Sequence, residues 1–234
     1  MASATVSLVD PQALPLEKAP AVGIYESEPE PVPVTIPTSE PETTPTPSPS
    51  SNNLLITSPY TTSDHLLDLT TLDTPYRLLA QALTTFTPIR DDYATAPYTE
   101  SFNWAAVFEE LHELAAAEGH AWKKERFYVV AFRSILNADA DGDRLHLLDE
   151  RSHAEAVASG GLLKYWFGSK NSKRENLATC VWRSREDARA GGTGPWHAKA
   201  RGAAKDMYER IEFTTLELVI GEEVGDWEFS AWKV

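Results

Sequence analysis

The chain has 234 residues and a formal net charge of −14, from 35 acidic and 21 basic residues. A chain this acidic is a poor candidate for nucleic-acid binding, which draws most of its affinity from cations that meet phosphates. Its one cysteine excludes an intrachain disulfide, and no apolar run approaches the roughly 18 residues that a membrane span needs. The first 20 residues lack the pattern of a secretory signal. We therefore expect no nucleic acid, no membrane and a cytoplasmic location, with access to the nucleus.

The N-terminal quarter of the chain has the composition of a disordered tail. Twelve of the 16 prolines lie before Thr61, mixed with Ser, Thr and Glu, and Lys18 is the one basic residue in that stretch. Such a segment cannot bury enough apolar surface to offset the entropy lost on ordering. We predict a disordered tail over residues 1–62. The PxxP-like spacing from Pro45 to Pro49 leaves open a partner-binding tail.

Residues 63–124 are predicted to form a helical extension. Pro75 suits the first position of a helix, with Thr74 as its N-cap. A second helix from about residue 103 to 117 places Trp104, Val107 and Leu111 on one stripe. We expect these helices to pack on the outside of the domain that follows.

Residues 125–234 carry alternating strand and helix patterns. The predicted strands cover residues 127–136, 162–168, 176–183, 210–220 and 227–232, and the predicted helices cover residues 143–157 and 195–208. The order is β-α-β-β-α-β with one added strand, which is the ferredoxin-like arrangement of an α+β domain.

Two nearly continuous apolar runs, residues 162–167 and 177–182, indicate strands that are buried on both faces. With little helix in the domain, we expect a second copy of the chain to cover the other face, as in a dimeric α/β barrel where two sheets pack face to face. The same order occurs in small ligand-binding regulatory domains and in RNA-recognition domains. The latter need an aromatic third strand with glycine, whereas this one reads NLATCVW. A homodimer is therefore the favoured assembly.

The segments SHAEAVASGG, LLKYWFGS and NLATCVWRSREDA resemble an uncharacterised fungal protein family. The resemblance extends from about residue 65 to the C-terminus and brings no established activity. In fold, the arrangement is similar to the antibiotic-biosynthesis monooxygenase-like superfamily of dimeric α/β barrels. That superfamily includes cofactor-free oxygenases of polyketides, haem-degrading enzymes, decarboxylases, cyclases and isomerases, so the resemblance implies a fold and leaves the reaction open.

The first predicted helix of this domain carries a candidate acid/base pair. In such barrels the ligand pocket lies between the sheet and its covering helices. His153 follows Asp149 by four residues, so the two side chains share a helical face. A carboxylate beside an imidazole would raise the pKa of the imidazole and fix its tautomer, which makes His153 a candidate general base oriented by Asp149. The alternative is a surface pair that only supports the helix.

The second predicted helix opens with His197, a further catalytic candidate, and places Arg201 and Tyr208 on the same face as candidate substrate-binding residues. The alternative for His197 is a helix-start residue that is satisfied by local hydrogen bonds. Haem-degrading members of the superfamily carry a histidine on the corresponding helix, and they rely on an aromatic where this chain has Ala188 and Ala190. Two separate histidines are not a metal signature, so we predict no metal and no cofactor.

Three aromatic residues of the predicted hairpin, Tyr165, Trp166 and Trp182, are candidates to line a pocket for a flat ligand. Their alternative role is in the core or in a dimer interface. Together these residues favour a cofactor-independent enzyme of the oxygenase, decarboxylase or cyclase type, acting on a small aromatic or polyketide-like molecule. The alternative is a non-catalytic dimeric binding or scaffold protein.

A third and weaker reading comes from the segment RAGGTG at residues 189–194, which matches the R-x-x-G-x-G loop of coenzyme A-dependent acetyltransferases. Backbone amides at the start of a helix bind phosphate groups well. Against this reading, Pro195 removes one backbone donor, and the charged helical stretch RSREDARA separates the loop from its strand.

Overall fold

The computed structural model describes residues 53–233, so the tail predicted for residues 1–52 lies outside the described residues. Residues 53–62 were also assigned to the tail, and they are folded. Strand β1 (Leu54–Ile56) pairs antiparallel with β2 (Leu66–Asp68), and Tyr60 between them is buried. Leu55 of β1 packs against the core, and together with the buried ring of Tyr60 it holds this segment on the rest of the chain.

The rest of the extension is mostly helical. Its helices are α1 (Thr74–Ala82), α2 (Tyr98–Ser101) and α3 (Trp104–Ala117), and short 3-10 turns lie at Ser63–His65, Leu69–Thr71 and Leu83–Thr85. The N-cap of α1 is Asp73, one residue before the predicted Thr74, with Pro75 in the first turn as expected. Gly119, with a φ of +65°, follows α3 in a conformation that suits glycine.

The C-terminal part forms a five-stranded antiparallel sheet. Its strands are β3 (Glu125–Leu136), β4 (Leu162–Phe167), β5 (Glu175–Trp182), β6 (Tyr208–Ile220) and β7 (Trp227–Ala231), in the spatial order β4-β5-β3-β6-β7. Its helices are α4 (Gly142–Ser159), α5 (Arg185–Gly191) and α6 (Pro195–Met207). This is the ferredoxin-like βαββαβ arrangement with β7 as an added edge strand. The predicted α+β class and order of strands are confirmed, and α5 is a further helix that lies before α6.

One face of the sheet packs against the extension, and we call it the extension face. On β3 it consists of Phe127, Val129 and Ala131, because alternate residues of a strand share a face. The core on this side combines these three with buried residues of both parts of the chain, namely Leu78, Leu79, Phe102, Trp104, Val107, Leu111, Leu177, Val181, Leu218 and Ile220. Helices α1 and α3 therefore cover the sheet from within the same chain.

This packing corrects two predictions. The helices of the extension do not lie on the outside of the domain, since their apolar stripes form the core with the sheet. The two-sided burial of β4 and β5 also needs no second copy, because the cover comes from residues 72–122 of the same chain. The homodimer stays a prediction, and it must use a surface other than the one that α1 and α3 occupy.

The opposite face of the sheet, which we call the helix face, carries α4, α5 and α6. Ala156 of α4 packs with Tyr128, Leu162 and Trp182 of the sheet, while α6 packs on α4 through residues that include Ala203 and Met207. No helix among residues 53–233 is long and apolar enough to cross a membrane.

Candidate functional site

Helix α4 directs one stripe of side chains at the sheet. Asp141 is the N-cap of this helix of 18 residues, and its side chain accepts a hydrogen bond from the backbone amide of Arg144. Asp149, His153 and Ala156 follow one another at steps of four and three residues, so they lie on one face. Because Ala156 packs on the sheet, Asp149 and His153 also lie between α4 and the sheet.

The carboxyl group of Asp149 accepts hydrogen bonds from two tyrosines. Tyr60, from the segment between β1 and β2, donates to Oδ2 over 2.5 Å. Tyr165, from β4, donates to Oδ1. The backbone amide of Tyr165 also donates to the carbonyl of Thr57 over 3.0 Å, which ties the segment of Tyr60 to the edge of the sheet. Three distant parts of the chain therefore meet at one carboxyl group.

Burial dominates the electrostatics of these groups. It raises the pKa of Asp149, and the hydrogen bonds from Tyr165 and Tyr60 partly oppose that rise. Burial and the neighbouring Asp149 carboxylate also raise the pKa values of Tyr60 and Tyr165 above their usual range. The tyrosines therefore stay protonated as donors, and Asp149 is the acidic group whose proton can move.

His153 pairs with a second histidine from the extension. Its Nδ1 lies 2.7 Å from Nδ1 of His65, and both rings are buried. The ring of Tyr60 stacks on His65 at 4.7 Å between centroids, and the ring of Tyr165 lies 5.2 Å from His153. The Nε2 atom of His153 is buried and has no hydrogen-bond partner among residues 53–233.

The predicted interaction of Asp149 with His153 is wrong in its geometry and in its effect. The oxygens of Asp149 accept from the tyrosines, and the partner of His153 is His65. Burial, followed by the neighbouring His65, lowers the pKa of His153 to about 3, where a rise was expected. His153 is therefore a neutral imidazole at physiological pH.

We call Tyr60, His65, Asp149, His153 and Tyr165 the Asp149 cluster. Three of its members were predicted from the sequence. Tyr60 and His65 were missed because the first was assigned to the tail and the second to an outer extension. The available signal was an apolar run, Leu54–Ile56, directly before an isolated aromatic and a histidine. Nothing in that local pattern indicates a contact 88 residues further along the chain.

His197 lies at the start of α6, where Glu155 of α4 caps the helix. The carboxylate of Glu155 accepts from the backbone amides of Trp196 and His197 over 2.7 and 3.1 Å. It also lies 3.1 Å from Nδ1 of His197. This geometry matches the alternative reading of His197, a helix-start residue satisfied by local hydrogen bonds.

The same contacts contradict the coenzyme A reading. The amides that would bind a pyrophosphate already bind the Glu155 carboxylate. A Cβ added to Gly194 would lie 2.2 Å from a Glu155 oxygen, so the carboxylate occupies the space in front of the loop. Residues 189–191 lie within α5 and not in a loop.

The other predicted residues separate into two groups. Tyr208 at the start of β6 is half-buried and packs with Leu148, Ala203 and Met207, and burial and the charge of Asp149 raise its pKa to about 12. Arg201 is exposed and donates to the carbonyl of Gly192 over 2.7 Å, which gives it a local role in joining α5 to α6.

Trp166 and Trp182 are not part of the cluster. Trp166 packs with the core of the extension face, 5.1 Å from the ring of Phe102. Trp182 is buried on the helix face beside Ala156, and its Nε1 donates to the sulfur of Cys180 over 2.9 Å. Both have the core role that was their alternative reading. Within residues 53–233, no three His, Cys, Asp or Glu side chains group as metal ligands would.

Comparisons with known proteins place the chain in a family. The family described as PB2B2.08-like matches residues 56–231. The UPF0643 protein PB2B2.08 of Schizosaccharomyces pombe is 38% identical over 178 residues, which cover 70% of this chain and 79% of the relative.

Solved structures with similar folds include Rv0793 from Mycobacterium tuberculosis, with a TM-score of 0.35 and 20% identity over 38% of this chain and 92% of that one. SnoaB from Streptomyces nogalater, described as a cofactor-independent oxygenase, has a TM-score of 0.32 and 11% identity over 39% of this chain and 90% of that one. At these TM-scores the likeness carries no functional argument. The match to the family and to the fission yeast relative does decide membership: the chain belongs to the PB2B2.08-like family.

Proposed function

We propose that this chain is a cofactor-independent enzyme that transfers a proton to or from a small aromatic or polyketide-like molecule at the Asp149 cluster. The supporting observation is the half-buried carboxyl group of Asp149, with the hydroxyls of Tyr60 and Tyr165 directed at its two oxygens. Aromatic rings line this part of the helix face, which suits a flat ligand.

The roles of the residues follow from their pKa values. A general acid or base is most effective when its pKa lies near the working pH, and burial moves the pKa of Asp149 in that direction. In the proposed step an acidic C–H bond of the ligand breaks, the proton goes to a carboxylate oxygen of Asp149, and the electron pair stays on the ligand as an enolate. Tyr60 and Tyr165 hold the carboxylate in place. An oxygenase reaction would further require dioxygen, and a decarboxylation or cyclisation would not.

Exchange of an acidic C–H with solvent tests this step before the natural substrate is known. The probe is an anthrone, whose methylene protons exchange with D₂O, and the exchange is followed by NMR under argon. We expect the protein to accelerate the exchange and Asp149→Asn to reduce that acceleration by roughly 100-fold or more. Asp143→Asn, an exposed change in the first turn of the same helix, is the matched control.

Two further measurements make the result decisive. Circular dichroism shows whether Asp149→Asn folds. Tyr165→Phe provides a second, milder change, because it removes one hydrogen bond to Asp149 and leaves the carboxyl group in place. An unchanged exchange rate in both folded variants would contradict the role of Asp149. Oxygen uptake by the anthrone in air then separates an oxygenase from the other reaction types.

A non-catalytic dimeric protein is the second candidate, and one observation favours it. Phe213 of β6 is 67% exposed on the helix face beside Phe132, and exposed aromatic patches often mark interaction sites. Under this alternative, Phe213→Ser shifts the mass measured by light scattering from dimer to monomer, while Asp149→Asn leaves the mass unchanged.

The proposed assembly, partners and location of the protein are the same for either function. We propose a homodimer with a small-molecule ligand, located in the cytoplasm with access to the nucleus. The acidic composition of the chain supports the expectation that nucleic acid is not a partner. Fluorescence imaging of the tagged full chain tests the location.

A further inference from the structure

We propose that His65 fixes the tautomer of His153, so that His153 presents an unprotonated Nε2 to a hydroxyl group of the bound ligand. The inference rests on the proposed function in that it names the chemistry of the ligand at the same cluster. It assigns a positioning role to His65 and restricts the ligand to phenols and enols.

The first step is the contact between the two rings. A separation of 2.7 Å between the Nδ1 atoms leaves room for one hydrogen, so one Nδ1 donates and the other accepts. The Nδ1 atom that accepts has no hydrogen. In the neutral form of that ring the hydrogen is therefore on Nε2, and in the neutral form of the donating ring Nε2 is bare.

The second step concerns the outer side of His65. Its Nε2 lies 3.9 Å from a carboxylate oxygen of Asp64. A carboxylate favours a hydrogen on the nitrogen that faces it, since the attraction stabilises the N–H. The Nδ1 of neutral His65 is then the acceptor, and His153 donates its own Nδ1–H.

The third step compares the two neutral tautomers of His153. If its Nε2 carried the hydrogen, a buried donor would have no acceptor among residues 53–233, because that atom has no hydrogen-bond partner there. Buried N–H groups without an acceptor are rarer in folded proteins than acceptors that lack a donor. The Asp64 carboxylate and the burial of Nε2 therefore favour the same tautomer of His153, with the hydrogen on Nδ1 and a bare Nε2.

The fourth step is the identity of the missing donor. The hydroxyls of Tyr60 and Tyr165 already donate to Asp149 and do not serve Nε2 of His153. The rings of these tyrosines lie 5.3 and 5.2 Å from the His153 ring, so the surroundings are aromatic. A ligand with a flat ring and a hydroxyl donor satisfies both conditions.

The tautomer is read directly by ¹⁵N NMR of the full chain labelled at histidine. His153→Gln assigns the resonances of His153, and His112→Gln, an exposed change on α3, is the control. We expect a bare Nε2 and a protonated Nδ1 on His153. We also expect Asp64→Asn to increase the reverse tautomer, with Asp73→Asn as a control that leaves it unchanged. A protonated Nε2 on His153 in the unaltered protein overturns the inference.

The ligand chemistry is tested by titration with 2-naphthol and with 2-methoxynaphthalene, which has the same rings and no hydroxyl donor. We expect 2-naphthol to shift the Nε2 resonance of His153 and the methoxy compound to leave it in place. No shift with 2-naphthol up to its solubility limit overturns the assignment of the ligand. A clear shift with 2-naphthol together with no catalysis of anthrone exchange would reject the proposed function and keep this inference.

Discussion

At the scale of single residues, burial moves the pKa values of Asp149 and His153 in opposite directions. It raises the first and lowers the second to about 3, and in both cases it favours the neutral form. The spacing of the two residues on one helical face was readable from the sequence. The sign of the pKa change of His153 was not, because it depends first on the burial of the ring and then on His65, which approaches from the extension.

The depressed pKa of His153 predicts a pH dependence of stability. The unfolded chain binds a proton at His153 below about pH 6.5, whereas the folded chain binds it near pH 3. The stability contributed by this group is therefore lost as the pH falls through that window, by up to about 1.4 kcal/mol per pH unit. Asp149, with its raised pKa, has the opposite sign and loses its contribution as the pH rises.

Urea unfolding at several pH values between about 4 and 6.5 checks this expectation. The free energy of unfolding should fall more steeply with decreasing pH in the unaltered protein than in His153→Gln. The other titratable groups near the ring, His65, Asp64 and His197, are common to both proteins. Parallel curves would show that His153 is not held neutral, and His112→Gln should match the unaltered protein.

At the scale of elements, the apolar periodicity of the sequence identified the helices and strands well. It did not reveal what each element packs against. The stripe of α3 contains the predicted Trp104, Val107 and Leu111, all of them buried. Their partners on the sheet come from several strands elsewhere in the chain, and periodicity within one helix carries no information about them. The capping of α6 by Glu155 of α4 was unpredictable for the same reason.

Substitution of two helical glycines by alanine should change the stability of the protein in opposite directions. A Cβ at Gly202 of α6 would meet nothing within 4 Å, while a Cβ at Gly191 of α5 would lie 2.4 Å from the ring of Trp182. We expect Gly202→Ala to stabilise the protein by about 0.5–1 kcal/mol, since alanine favours helix. Gly191→Ala should destabilise it by about 1–3 kcal/mol through overpacking. Thermal unfolding of both variants tests this prediction. An equal shift of the unfolding temperature in both would contradict the packing of α5 on Trp182.

At the scale of the whole molecule, the extension and the sheet share one core. Leu111 of α3 is fully buried in it, together with Val129 of β3. The ferredoxin-like order could be predicted because it depends on the succession of elements. The cover of the extension face could not, because an amphipathic helix is equally compatible with either side of a sheet or with a second molecule.

The shared core predicts that both parts unfold together. Leu111→Ala should destabilise the protein by about 2–5 kcal/mol and should increase the amide exchange of β3 as much as that of α3. Hydrogen–deuterium exchange with mass spectrometry measures both strands and helices, and Glu113→Ala on the exposed side of α3 is the control. Faster exchange in α3 with unchanged protection of β3 would mean that the extension is an independent unit.

The cover of the extension face has a consequence for the making of the protein. Ribosomes synthesise α1 and α3 before the five-stranded sheet. The strand β7, which α3 contacts through Trp104 and Phe229, ends at Ala231, about 110 residues after Trp122. It is therefore made about 5–20 s later at ~5–20 residues per second. During that interval the apolar stripes of the nascent helices have no complete sheet to pack on. The growing chain therefore exposes an apolar surface to other molecules. We expect chaperones that bind nascent polypeptides to associate with this protein until β7 has left the ribosome.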